Sequence, residues 1–167
     1  MKKIMPALMA LLIASFSFVG CINQDNERPS VYLKSPAHGA VLKIGNDHGV
    51  HFEMDVKDNQ MLKGYKIEVH NNFDHHTHSA ITRHDDNTTP FAFQKSYDLS
   101  GKREAHIHHH DIVIPANATP GDYHLMVYVS DESGNEQVVA RDIVLSQDAP
   151  DHDHDHDHDH DHEHNHN

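Results

Sequence analysis

The sequence predicts an all-β fold, a single antiparallel β-sandwich over residues 30–147, and three observations carry that expectation. Apolar residues recur with period two, the apolar runs are short, and turn residues separate them. Val50, Phe52, Met54 and Val56 alternate with His51, Glu53 and Asp55. Tyr65, Ile67 and Val69 alternate with Lys66, Glu68 and His70, and Tyr123, Leu125, Val127 and Val129 with His124, Met126 and Tyr128. Each run offers one face to a core and one to solvent. Further strands are expected at residues 31–34, 40–42, 91–97, 107–114 and 137–145. Ser35-Pro36, Gly45-Asn46, Ser100-Gly101, Pro120-Gly121 and Gly134-Asn135 supply the turns between them. Seven or eight strands of this length in a segment of ordinary domain size fit two packed sheets.

The stretch Ile112-Val113-Ile114-Pro115, Pro120-Gly121-Asp122-Tyr123, Val129-Ser130-Asp131 and Gly134-Asn135 resembles bacterial immunoglobulin-like domains. The resemblance implies an immunoglobulin-like sandwich in which a tyrosine opens the sixth strand and an Asp…Gly-Asn turn leads to the seventh. Such a fold hosts many functions, so function has to be argued from particular residues.

The N-terminus reads as an export signal. Met1-Lys2-Lys3 precedes an apolar run of 16 residues, from Ile4 to Val19, followed by Gly20-Cys21. That run is short of the ~20 residues that span a bilayer and suits a signal h-region. Cys21 is the only cysteine, so no internal disulfide can form. Phe18-Val19-Gly20-Cys21 resembles the lipobox of bacterial lipoproteins. The resemblance implies cleavage after residue 20, acylation of Cys21 and a membrane-anchored mature chain, with the outer membrane as the expected site. Two or three acyl chains hold a protein stably where one does not. Residues 21–29 read as a polar tether. Losing Lys2 and Lys3 takes the net charge from −13 to about −15, which argues against nucleic acid as a partner and suits cations.

Histidine carries the functional signal: there are 21, with 13 between residues 30 and 147. The tail, residues 148–167, is expected to be disordered, because nothing apolar follows Pro150. It alternates acids with His152, His154, His156, His158, His160, His162, His164 and His166. Imidazole suits Zn, Cu and Ni, and neighbouring carboxylates add negative potential. Many equivalent registers raise the local metal concentration through avidity.

Two clusters lie within the domain. His75, His76 and His78 fall in a loop, and His106, His108 and His110 in a strand. Residues i and i+2 share a strand face ~6–7 Å apart, close enough for two imidazoles to hold one ion. A ligand from the 75–78 loop would complete a tetrahedral zinc site. Parity complicates this, because the 106–108–110 row is in phase with Ile112 and Ile114, which look inward. The row therefore sits at the rim, or a bulge shifts the phase, or its histidines are simply buried and hydrogen-bonded. His70 and His124 read as an outward pair that faces across two strands or is exposed by chance, and His38, His48 and His51 as ordinary surface residues.

The layout also resembles a family of small lipoproteins from Bacteroides-type bacteria with a lipobox, one immunoglobulin-like domain and clusters such as Asn72-Phe73-Asp74-His75-His76-Thr77-His78. That implies metal handling at the outer membrane. The expected function is lipid-anchored capture of a transition metal, zinc foremost with Cu or Ni as alternatives, for buffering or delivery to an outer-membrane receptor. The alternative is an adhesion or partner-binding module of a surface complex. No Gly-x-Ser-x-Gly elbow, phosphate loop or cysteine nucleophile occurs, so an enzyme is not expected.

Overall fold

Among the described residues, eight strands are divided between two sheets. They are β1 (Ser30–Ser35), β2 (Ala40–Lys43), β3 (Val50–Lys57), β4 (Leu62–Asn71), β5 (Phe93–Asp98), β6 (Glu104–Ile112), β7 (Gly121–Asp131) and β8 (Glu136–Ser146). A computed structural model describes residues 25–72 and 87–150. The smaller sheet runs β1-β3-β6 and the larger β2-β8-β7-β4-β5. The inward faces are the apolar sets read from the alternation. Phe52, Met54, Ile67, Leu125, Val127 and Val129 are all fully buried.

The sandwich is immunoglobulin-like, as the sequence predicts, with one departure from a purely antiparallel arrangement. The first edge is shared between the sheets: β1 pairs antiparallel with β3, and then β2 pairs parallel with β8. The chain crosses from one sheet to the other at Ser35-Pro36, a cis peptide. Period-two reading finds both strands but cannot tell which partner each will choose.

Tyr123 opens β7, the seventh strand counted here, and is fully buried. Its hydroxyl donates to the Thr119 carbonyl at 2.8 Å and accepts the Phe91 amide at 3.1 Å. One side chain thereby satisfies two backbone groups away from water. Tyr123→Phe is expected to cost about 1–3 kcal/mol in denaturant unfolding, because both partners lose their bond. A cost below a few tenths of a kcal/mol would show that water replaces the hydroxyl.

At the open edge of the sandwich, Asp111 links the sheets. Its Oδ2 accepts Lys95 Nζ at 2.6 Å and the Tyr97 hydroxyl at 2.7 Å. The Lys95 ammonium, and then the Tyr97 hydroxyl, hold the Asp111 carboxyl below the usual carboxylate range.

Candidate metal centre

The outward face of the smaller sheet is polar because β3 and β6 each turn alternate residues to solvent. From β3 these are His51, Glu53 and Asp55, and the chain pairs Asp55 with His106 and Glu53 with His108. Beyond His108 the regular ladder breaks. Phe52 pairs with His109, but Val50 pairs with Ile112, so a step of two on β3 meets a step of three on β6. This is a β-bulge. It resolves the parity conflict, because His108 and His110 stay outside while Ile112 turns into the core at 1% exposure.

The bulge leaves His51 opposite the extra residue of β6. Ring centroids are 4.8 Å apart for His51–His108, 5.3 Å for His51–His110 and 5.2 Å for His108–His110. One nitrogen from each ring lies within 4.8 Å of the other two. Tetrahedral zinc with Zn–N bonds of ~2.0–2.1 Å needs nitrogens roughly 3.3 Å apart, which small rotations of these side chains supply. A ring nitrogen of His51 faces Glu53 Oε2 at 3.4 Å. A carboxylate behind an imidazole fixes its tautomer and favours ligation through the other nitrogen.

His106 is held elsewhere. Its Nδ1 lies 2.7 Å from Asp55 Oδ1, in a network where Lys34 Nζ bridges Asp55 at 2.9 Å and Glu53 at 3.0 Å. His106 and then Lys34 hold the Asp55 carboxyl below its ordinary range, while Lys34 and then His51 do the same for Glu53. The expected row of His106, His108 and His110 is thus divided: two members join His51, and the third lies against Asp55. His51, expected to be an ordinary surface residue, is the member that sequence reading misses. Its outward phase on β3 was visible, but its β6 neighbour depends on register and on the bulge.

His109 turns inward on this strand and is half-buried: its Nδ1 accepts the Asp111 amide at 3.4 Å, while its Nε2 is buried without a hydrogen-bond partner. It stacks on Phe52 and on Tyr97, with centroids 4.9 Å apart in both cases. Burial lowers its pKa, and Asp111 opposes that shift. On the larger sheet His70 and His124 are direct cross-strand partners with centroids 5.6 Å apart, and His124 Nε2 lies 3.1 Å from Asp142 Oδ1. Cys21, His75, His76, His78 and the eight tail histidines lie outside the described residues.

Fold and site together define an immunoglobulin-like β-sandwich with three converging imidazoles on the outer face of its smaller sheet. The chain belongs to the family described as Domain of unknown function (DUF4625), whose family model matches residues 19–146. No curated protein matches it.

Proposed function

We propose that this is a lipid-anchored transition-metal-binding protein that captures zinc, with Cu or Ni as the other ions its imidazoles suit. The observation that carries the reading is the convergence of His51, His108 and His110 from two strands. Three imidazoles fill three places of a tetrahedral site and leave the fourth for water, or for a ligand from the 75–78 loop or the tail. Acylation at Cys21 would anchor the chain, with metal passed to an outer-membrane receptor or buffered.

The topology supports this division of labour. Ser30 pairs with Lys57 at one end of β3, whereas His51 lies at the other end. The Ile44 amide donates to the Ser146 carbonyl and the Gly45 amide to the Ile114 carbonyl, so β8 ends on the His51 side. Asn71 pairs with Tyr123 at the start of β7, which pairs with the end of β8, so β4 ends on that side too. The segment 73–86 and the tail are therefore joined to the fold at the end carrying the three histidines. The chain arrives from Cys21 at the opposite end.

The test is zinc calorimetry on the mature chain and on a chain ending at Pro150, which keeps the buried Ala149. The truncated chain is expected to bind about one Zn, and the full chain more. Both should bind it less tightly as pH falls, because imidazole must be neutral to ligate. Cys21→Ala should move the protein out of the membrane fraction. A truncated chain that binds no zinc assigns capture to the tail alone. Unchanged membrane retention with no lipid on the wild type sinks the anchor.

A further inference from the structure

A second group of ligating side chains lies at the other end of the sandwich and belongs to none of the chemistry above. Asp25 precedes β1, Asp58 follows β3 and Asp131 closes β7. One carboxylate oxygen from each lies within 4.8 Å of the other two. All three residues are buried, at 6%, 4% and 0% exposure. His51 and Asp58 are separated by nearly the whole of β3, roughly 23 Å at ~3.3 Å per residue.

The hydrogen bonding around these acids is one-sided. Asp25 Oδ1 accepts the Glu27 amide and the Asn59 side-chain amide, each at 3.0 Å. Asp58 Oδ2 accepts the Gln60 amide at 2.8 Å. Asp131 accepts the backbone and side-chain amides of Asn135, both at 2.7 Å. Asp25 Oδ2 and Asp58 Oδ1 are buried and have no hydrogen-bond partner. Among the described residues no Lys or Arg pairs with any of the three. Arg103, beside the Asp58 turn, donates instead to the carbonyls of Asn59 and Gln60. Two buried carboxylate oxygens without donors beside a third carboxylate are costly, and a cation between them removes the cost.

We infer that Asp25, Asp58 and Asp131 bind one hard divalent cation, of which calcium fits best. The donor set is oxygen only, which selects against zinc and copper and for calcium, magnesium or manganese. Burial then separates calcium from magnesium. Magnesium keeps several waters and rarely sits in an all-protein cage, whereas calcium takes six to eight oxygens in irregular geometry at ~2.3–2.6 Å. The amide donors orient the carboxylates before the ion arrives. The ion would join three segments distant in sequence and fasten residues 25–29 to the body of the sandwich. The site does not depend on the zinc reading, and neither predicts the other.

The experiment takes the mature full-length chain, stripped with a chelator, and adds calcium, magnesium or zinc in turn. Thermal unfolding is measured together with amide hydrogen exchange at residues 25–27, 58–60 and 131–135. Calcium is expected to raise the melting temperature and slow exchange at all three segments. Asp58→Asn and Asp25→Asn should keep the far-UV spectrum and weaken calcium binding about tenfold or more, because each removes one of three ligand charges. His108→Ala should leave the calcium response intact. The inference is overturned if the wild type does not respond to calcium, or if the response survives both asparagine variants, which would place it on the acidic tail. A response to zinc but not to calcium at these amides overturns it as well. So does stabilisation by acid in the absence of calcium, which would make a shared proton the counter-charge.

Discussion

Saturating zinc is expected to raise the melting temperature of the chain ending at Pro150 by about 10 °C, and His51→Ala to remove most of that rise. At a free concentration near 100 times Kd, a ligand that binds only the folded state adds ~2.7 kcal/mol. In a domain of this size each kcal/mol moves the midpoint by roughly 4 °C. His51 is the informative position because the two strands disagree about it. If zinc were held by the 106–108–110 row alone, His106→Ala would abolish the rise and His51→Ala would not. The geometry predicts the reverse, since His106 lies against Asp55 and the rings of His108 and His110 close on His51. Equal loss in both variants would mean that zinc recruits the Asp55–His106 pair as well. No rise in the wild type would leave the three rings as a surface cluster and the sandwich as a scaffold.

What the sequence made legible, and what it hid, divides along one physical line. Alternation within a strand is local, so Val50, Phe52, Met54 and Val56 announced their buried face, and all eight strands were readable from such runs and the turns between them. Pairing between strands is not local. That β2 runs parallel beside β8, and that His51 meets β6, depend on register, which no single segment encodes. The bulge at residues 109–112 is a sharper case. Sequence parity required either a rim position or a phase shift, and the outcome is a phase shift that turns His109 and Ile112 inward while His108 and His110 stay on the outer face. An inward-facing histidine was anticipated in kind, but it stands at the neighbouring position 109 and only one of its ring nitrogens is hydrogen-bonded. The three aspartates at the far end were missed because each looks like an ordinary turn acid: Asp58 before Asn59, Asp131 before Gly134-Asn135. Only the fold brings them together.

Gly49→Ala is expected to destabilise the domain by about 2–4 kcal/mol and to abolish zinc binding by the three histidines together. Gly49 has φ of +78°, and a Cβ built there would lie 1.9 Å from the carbonyl oxygen of His110. That oxygen belongs to the backbone of the bulge and cannot rotate away as a side chain would. Relief requires β6 to lift from the turn before β3, which carries His110 away from His51. Two costs are combined in this number, and Gly39 separates them. Its φ is +77°, nearly the same, but a Cβ there meets nothing within 4 Å. Gly39→Ala therefore measures the left-handed backbone cost alone, about 1–2 kcal/mol, and should leave the zinc response untouched. The difference between the two variants in denaturant unfolding isolates the contact with His110. If Gly49→Ala costs no more than Gly39→Ala and still binds zinc, the bulge does not rest on Gly49. The convergence of the three histidines must then be held by β3 and β6 alone.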